Sequence, residues 1–433
     1  MKSNLREKIL NGIKPNSKEH KIRLDLVNDF LLKLKESSKD IDVEFYVAGS
    51  FGKNTYLKNS SDVDVFARFS TSYKDEDLSF MLSNILEDAN INFKKQKGSR
   101  DYFSSDVDGV KFEIVPNRRI KDVSEMINST DVSPLHVEFL KQKFKENKDL
   151  CDEIRLAKQF FKAKKLYGAE SYINGISGHV IDILIAFYGS LEKLILEVKK
   201  WDKETFVDIN AFYGGLEDAK KVLDDKVSPL IVIDPIVKNR NAAKALSKEN
   251  YFKLLILAEN FTDFREEDFI VKKFDLSKII KESKKFGKVN NFHTLFYVFD
   301  FDIKENSEDI IGSKLLKLFG KIKNNFLNND FRVFLSKFEI DIKSRKCLFV
   351  YFIENDKVSK LKKITGPFVY MKNAIRSFID SHSFYFVEED RLYSYQKRGI
   401  YLLSDISKLD IKMCENIVNK DMSFIKKIRV FKK

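Results

Sequence analysis

The chain has 433 residues, 43% of them hydrophobic, which is enough for about three domains with substantial cores. It carries 78 Lys+Arg against 65 Asp+Glu, a net charge of +13 that favours an anionic partner such as a nucleic acid. The absence of long apolar runs, of a signal-peptide core and of paired cysteines predicts a cytoplasmic protein with no membrane partner, disulfide framework or zinc site.

The first predicted elements are an amphipathic helix over 21–38 and a half-buried strand over 43–47. Gly49 and Ser50 then break the strand. Glycine allows a sharp turn, and the serine can cap the short helix that follows or offer its hydroxyl to a phosphate. The turn is therefore a candidate phosphate-binding element.

The next predicted strand carries two carboxylates, Asp62 and Asp64. Residues two apart on a strand project to the same face, so Val63 and Val65 point the other way. Mg²⁺ prefers a few carboxylates together with substrate phosphate oxygens. The pair therefore predicts a divalent-metal site for phosphoryl or nucleotidyl transfer, whereas an acidic exposed strand face is the structural alternative.

A third carboxylate is expected from a neighbouring strand, and Glu113 in the strand 110–115 is the favoured candidate. It points away from the alternating apolar side chains of that strand. Asp106 and Asp108 remain alternatives, although Asp108-Gly109 is typical of a hairpin turn.

The rest of the chain predicts further helices and strands. A lysine stripe of Lys158, Lys162 and Lys165 on one helix is either a solvated face or a contact to triphosphate or RNA backbone. Helices are predicted around 78–85, 149–165, 181–198 and 310–326, and from 242 through 256. Strands are predicted at 91–97, 228–235, 294–299, 347–352 and 391–395, with a basic loop at 238–241.

Four sequence blocks carry a family resemblance. They read GSFGKNTYLKNSSDVDVF, TDVSPLHVEFL, FKAKKLYGAESYINGISG and IDPIVKNRNAAKALS. The first resembles the signature of the DNA polymerase β-like nucleotidyltransferase superfamily. All four, in this order, resemble the archaeal, class I, CCA-adding tRNA nucleotidyltransferases over nearly the whole chain.

The resemblance implies an α+β multidomain fold: a head with a mixed sheet (1–135), a helical neck (136–260), and an α+β body and tail (261–433). It implies template-independent addition of C, C and A to the 3′ end of tRNA from CTP and ATP, with two Mg²⁺ ions. It leaves the oligomeric state open, a homodimer included. The basic neck, body and tail are expected to hold the tRNA backbone.

The resemblance also assigns residues. Asp62 and Asp64 match the metal-binding pair, and Glu113 matches the third carboxylate, which serves in metal binding and catalysis. The positions that match nucleotide contacts are Ser50, Lys53, His136, Lys162, Tyr172 and Arg240. Arg240 matches the position that reads the incoming base.

The chain departs from the family pattern at several positions. Lys53 replaces an arginine, which keeps the charge but loses the bidentate fork. Tyr172 lies one place after the expected tyrosine position, which Ser171 occupies. The other departures are Tyr56 for tryptophan, Val132 for arginine, Ser133 for threonine, and His179 at an aromatic position, where we expect a structural role.

Two other functions share these features. A poly(A) polymerase or oligoadenylate synthetase would have the same metal site, but the block around Arg240 argues against it. A catalytically inactive RNA-binding module would have the same fold, but the intact Asp62 and Asp64 argue against it.

Overall fold

The computed structural model describes residues 1–58, 62–98, 100–223, 228–303 and 307–432. The chain forms two compact units, Met1–Lys272 and Lys273–Lys433. The fold is α+β with a mixed sheet near the N-terminus, as the sequence predicts. Within the described ranges, none of the helices is both long and apolar enough to cross a lipid bilayer.

The first part of unit 1 contains the predicted strand–turn–strand element. Residues 59–61, between the short helix and the second strand, lie outside the described residues. The elements are α1 (Ser3–Ile13), α2 (Ser17–Glu36), β1 (Val43–Val47), α3 (Gly49–Gly52), β2 (Asp62–Phe69), α4 (Leu78–Asp88), β3 (Lys94–Gln96), β4 (Tyr102–Val107) and β5 (Val110–Arg118).

These strands form one five-stranded sheet in the order β1-β2-β5-β4-β3. β2 and β5 run parallel, and the other neighbouring pairs are antiparallel. Val63, Val65 and Phe112 are fully buried and pack with side chains of α2 and α4. The alternate side chains of β2 and β5 therefore point away from this core, which leaves the opposite face of the sheet for polar groups.

Helices dominate the second part of unit 1. Its elements are α5 (Ser133–Glu146), α6 (Leu150–Ala163), α7 (Gly178–Tyr188), α8 (Leu191–Val198), β6 (Thr205–Val207), α9 (Leu216–Lys220), β7 (Leu230–Val232) and α10 (Lys248–Glu259). The apolar faces of α6, α7, α8 and α10 share one hydrophobic core.

Several predicted elements differ from the structure. The strand predicted over 228–235 is limited to Leu230–Val232. The single helix predicted over 181–198 is two helices, because Gly189 adopts φ +88° and Ser190 caps the second helix. The helix predicted from 242 begins at Lys248, where the Ser247 side chain accepts a hydrogen bond from a backbone N–H. The strand predicted over 91–97 is limited to Lys94–Gln96.

Unit 2 has two sheets of its own. The elements are α11 (Leu276–Val289), β8 (His293–Phe301), α12 (Glu308–Asn328), β9 (Val333–Asp341), β10 (Lys346–Ile353), β11 (Leu361–Phe368), α13 (Lys372–Ser381), β12 (Tyr385–Glu388), β13 (Arg391–Lys397), α14 (Leu403–Asp421) and β14 (Ile425–Lys432). The sheet orders are β14-β8-β10-β9 and β11-β13-β12. The predicted strands at 294–299, 347–352 and 391–395 and the helix at 310–326 are confirmed.

Candidate active site

Carboxylates from two parallel strands meet on the polar face of the first sheet. The register of β2 and β5 places Asp64 directly opposite Glu113 and Asp62 opposite Lys111. Neighbouring strands lie about 4.8 Å apart, so the side chains of an opposed pair emerge side by side. Asp62 is exposed, whereas Asp64 and Glu113 are half-buried. The three carboxylates therefore share one face.

The turn after β1 closes over Asp64. The backbone N–H of Ala48 donates to the carbonyl of Asp64 at 2.9 Å. Gly49 has φ +58°, and a Cβ at this position would overlap the Asp64 carboxylate. Glycine is therefore required here both for the backbone conformation and for space. The structure thus joins the predicted phosphate-binding turn to the predicted metal-binding strand.

The electrostatics of this face fit a divalent cation. Burial, followed by the negative charge of Glu113, raises the pKa of Asp64 to about 6, while the positive charge of Lys53 opposes the shift. Glu113 pairs with Lys111. Carboxylate oxygens that repel one another are the ligand set that Mg²⁺ prefers, because the ion offsets their charge. Asp62, Asp64 and Glu113 could therefore hold such an ion.

The two alternative carboxylates lie at the hairpin. Asp108 and Gly109 have φ of +51° and +76° and form the turn between β4 and β5. Asp106 accepts a hydrogen bond from the backbone N–H of Gly109 at 3.1 Å. The structure therefore places Glu113, rather than either aspartate, opposite Asp64.

A buried cluster of two lysines and an aspartate adjoins the carboxylates. Asp182 on α7 is fully buried and pairs with Lys53 through Oδ2. Its Oδ1 lies 3.3 Å from the Nζ of Lys158 on α6, and that nitrogen donates to Thr55 Oγ1 at 2.9 Å. Burial lowers the pKa of Lys158 to about 8, although Asp182 opposes the shift. Two helices of unit 1 thus hold the segment that follows the Gly49 turn.

The lysine stripe predicted on one helix is consequently not a uniform solvated face, and Lys165 lies beyond the end of α6, with φ +57°. Lys158 is 4% exposed, and Arg155, one turn earlier, is 1% exposed. Arg155 donates to the carbonyls of Asn54 and Tyr56 at 2.5 and 3.2 Å. Lys162 instead lies with its Nζ 4.9 Å from the centre of the Tyr167 ring.

Tyr167, which belongs to one of the four family blocks but received no role from the sequence, also lies beside the site. Burial raises the pKa of its hydroxyl, and the negative charges of Asp182, Glu170, Asp64 and Asp62 add to the shift. Its hydroxyl lies 3.0 Å from the position that a Cβ of residue 178 would take, so Gly178 leaves room for the ring. Tyr172, the predicted nucleotide contact, is half-buried in the turn that follows.

Asp234 joins two candidate site residues, His136 and Arg240, and also contacts His179. Its fully buried carboxylate accepts from His136 Nε2 at 2.7 Å, from His179 Nε2 at 3.3 Å and from Arg240 Nη1 at 3.2 Å. Burial favours a raised pKa for Asp234, but the two histidine hydrogen bonds outweigh it and hold that pKa well below its usual range. Burial lowers the pKa of His179. The structural role expected for this histidine stays a prediction.

His136, His179 and Asp234 also offer ligand atoms within 4.8 Å of one another. These atoms are already engaged as hydrogen-bond donors and acceptors, and the Arg240 guanidinium contacts Asp234 Oδ2. The positive charge of the Arg240 guanidinium beside Asp234 disfavours a metal ion at these atoms. The carboxylate face is therefore the better metal candidate. Beside Asp234 opens a cleft of about 710 Å³, lined by residues that include Ser177, His179, Arg240 and Lys244.

Comparisons with protein families cover most of the chain. Residues 27–151 match the nucleotidyltransferase domain, residues 152–271 match the second domain of tRNA nucleotidyltransferase, and residues 293–422 match the C-terminal domain of CCA-adding enzyme. The carboxylates and Asp182 fall in the first two matched regions.

Individual relatives agree with these families. The chain is 32% identical to the CCA-adding enzyme of Nanoarchaeum equitans, over 84% of this chain and 86% of that one. It is 29% identical to the CCA-adding enzyme of Methanocaldococcus jannaschii, over 93% and 89%. The Cid1 poly(U) polymerase shares the fold at 15% identity and a TM-score of 0.50, over 63% of this chain and 98% of that one.

Proposed function

Because this chain belongs to the family of CCA-adding enzymes, we propose that the carboxylates of Asp62, Asp64 and Glu113 catalyse both its C and its A additions. The enzyme is a nucleotidyltransferase that adds C, C and A to the 3′ end of tRNA. The observation that carries the assignment is the strand register, which puts Asp64 opposite Glu113. The turn at Gly49 packs against Asp64 so closely that only glycine fits there.

Nucleotidyltransferases of this fold generally use divalent metal ions, and we assign two Mg²⁺ ions to these three carboxylates. Bound there, the ions would lower the pKa of the attacking hydroxyl and neutralise charge on the leaving group. The side chains supply oxygen ligands, and the half-buried position of Asp64 limits access of water to them. The raised pKa of Asp64 supports this role, because a cation relieves the cost of the buried charge.

CTP and ATP are the proposed donors. Ser50 at the turn, Lys53 beside Asp64, and His136 and Lys162 would hold the β- and γ-phosphates, and Tyr172 would contact the nucleotide. The 3′-hydroxyl oxygen of the tRNA bonds to the α-phosphorus while the bond to pyrophosphate breaks. Glu113, whose side chain is 31% exposed, would accept the hydroxyl proton.

The distribution of charge indicates that the two units have different roles in tRNA binding. Residues 273–433 carry 33 Lys+Arg against 20 Asp+Glu, whereas residues 1–272 carry 45 of each. The whole net charge of +13 therefore belongs to unit 2. We assign most of the tRNA backbone contacts to this unit, because phosphate contacts are electrostatic and independent of sequence. The proposed head, neck, and body with tail remain 1–135, 136–260 and 261–433.

Substitution of the aspartate pair tests the shared site. Asp62→Asn and Asp64→Asn should each abolish C and A addition to matched tRNA substrates while tRNA affinity stays nearly unchanged, since the excess positive charge lies in unit 2. Loss of only one of the two additions, or a large fall in tRNA affinity, would contradict a single catalytic site.

A further inference from the structure

We propose that Asp234 is the positioning residue that aims Arg240 at the incoming base and ties it to His136 on the phosphate side. This inference rests on the proposed function, in which His136 contacts the triphosphate, and on the family resemblance, which implies that Arg240 reads the incoming base. The inference adds that the buried carboxylate of Asp234 holds both Arg240 and His136. Base selection and phosphate binding therefore depend on the same side chain.

The carboxylate of Asp234 is saturated with donors. Oδ1 accepts from His136 Nε2 at 2.7 Å and from the backbone N–H groups of Ile236 and Val237 at 2.9 and 3.0 Å. Oδ2 accepts from His179 Nε2 at 3.3 Å and from Arg240 Nη1 at 3.2 Å. The two oxygens thus have different partners. Oδ1 caps the loop and binds His136, and Oδ2 binds Arg240 and His179.

Asp234 fixes Arg240 through its backbone as well as its side chain. The backbone N–H of Asp234 donates to the Arg240 carbonyl at 3.0 Å, and the Arg240 N–H donates to the carbonyl of Val237 at 2.9 Å. The arginine side chain is 43% exposed and lines the cleft of about 710 Å³. A guanidinium anchored through one terminal nitrogen keeps its remaining donors available for a base edge.

The histidine side of the network reaches two helices. His136 lies in the first turn of α5, and His179 lies in the first turn of α7. Their ring centres are 4.4 Å apart. Asp234 therefore connects both helix starts to the loop that carries Arg240, although the three residues are 98, 55 and 6 positions from it in the chain.

The isosteric change Asp234→Asn separates the two oxygens. The amide oxygen can remain at the Oδ1 position, where three donors require an acceptor. The amide nitrogen then replaces Oδ2. His179 can accept from it by changing tautomer, but a guanidinium has no acceptor and is repelled. The variant should therefore release Arg240 while the loop cap and His136 stay in place.

The assay is incorporation of single nucleotides into tRNA that lacks only its terminal A, with kcat and KM measured for ATP, the correct nucleotide, and for CTP, UTP and GTP. Asp234→Asn should lower the ratio of correct to wrong kcat/KM by about fivefold to a hundredfold, the range of one bidentate base contact. KM for the correct triphosphate should change less than this ratio. A merely structural role would lower all four nucleotides alike.

Asp208→Asn is the matched control. Asp208 lies in the same unit and also accepts backbone N–H hydrogen bonds, from Asn210 and Tyr213 at 3.2 and 3.0 Å. The discrimination ratio should be unchanged in this variant. Urea unfolding followed by Trp201 fluorescence checks that each variant is folded, because the single tryptophan packs against the core of unit 1. If Asp234→Asn does not fold, Asp234→Glu, which moves the carboxylate by one methylene, replaces it with the same expected loss of discrimination.

A double-mutant cycle of Asp234→Asn with Arg240→Lys tests whether Asp234 acts on discrimination through Arg240. If Asp234 acts through Arg240, adding Asp234→Asn to Arg240→Lys should lower discrimination by less than twofold further. Normal discrimination in a folded Asp234→Asn or Asp234→Glu protein, with Arg240→Lys impaired, overturns the inference alone. An Arg240→Lys enzyme that loses the same factor on all four nucleotides overturns both the base-reading assignment and this inference, but leaves the carboxylate site untouched.

Discussion

Asp64→Asn should abolish catalysis and, in the absence of metal, make the protein more stable at pH 7. The reason is the environment of Asp64: burial and the charge of Glu113 raise its pKa from the ordinary value of 3.8 to about 6. A carboxyl whose pKa is raised by folding favours the folded state when protonated. That stabilisation is present below about pH 4 and is lost as the pH rises through about 6.

The difference between the folded and unfolded pKa of Asp64 sets the size of the change in the free energy of unfolding. One pKa unit corresponds to 1.36 kcal/mol, so ionised Asp64 costs the metal-free fold about 3 kcal/mol at pH 7. Asparagine has nearly the same shape and no charge. The free energy of unfolding of Asp64→Asn should therefore exceed that of the parent protein by up to about 3 kcal/mol at pH 7 and by little at pH 4.

The assay is urea unfolding in EDTA at the two pH values, followed by the fluorescence of Trp201, which lies in the same compact unit. Asp62→Asn is the control, because Asp62 is exposed and its substitution should change stability by less than about 0.5 kcal/mol. Added Mg²⁺ should stabilise the parent protein but not Asp64→Asn. A variant that is less stable than the parent at pH 7, or equally stable at both pH values, would refute the assignment of Asp64 as a strained metal ligand.

Two further substitutions probe the same face of the sheet. Glu113→Gln should be severely impaired in nucleotide addition while Glu113→Asp keeps measurable activity, because a hard cation and an attacking hydroxyl need a carboxylate rather than a given length. The same assay on Asp108→Asn should show normal activity, and the opposite pattern would assign the third carboxylate to the hairpin. Gly49→Ala should lose addition activity, since its Cβ would overlap the Asp64 carboxylate, whereas Gly109→Ala, with nothing within 4 Å of its Cβ, should keep it. Equal activities of the two alanine variants would show that the turn is not tied to the site.

The proposed catalytic face was predictable because its signal is local. Alternation along β2 and β5 determines which side chains share a face, so Asp62, Asp64 and Glu113 could be grouped from the sequence alone. The pairing of the two strands was not local, yet the need for a neighbouring strand with an acidic residue on its polar face left few choices. The structure adds the register, with Asp64 opposite Glu113.

The residues that support the site were missed because their partners are far away in the chain. Lys158 appears in the sequence as one lysine of a surface stripe, and only the fold shows that it is buried against Asp182 and Thr55. Asp234 lies two residues after β7 and precedes a proline, a position that indicates a turn and gives no sign of three side-chain partners. Gly189, in contrast, carried a readable signal: glycine followed by serine indicates the end of one helix and the start of the next.

The most direct test of the function uses a tRNA that lacks its 3′-terminal CCA, incubated with CTP, ATP or both and separated at single-nucleotide length. We expect two nucleotides to be added with CTP alone, and a third from ATP only after them, with no further extension. A long adenylate tail, addition of A before C, or tRNA binding without any incorporation would contradict the function, the last result identifying a catalytically inactive RNA-binding protein.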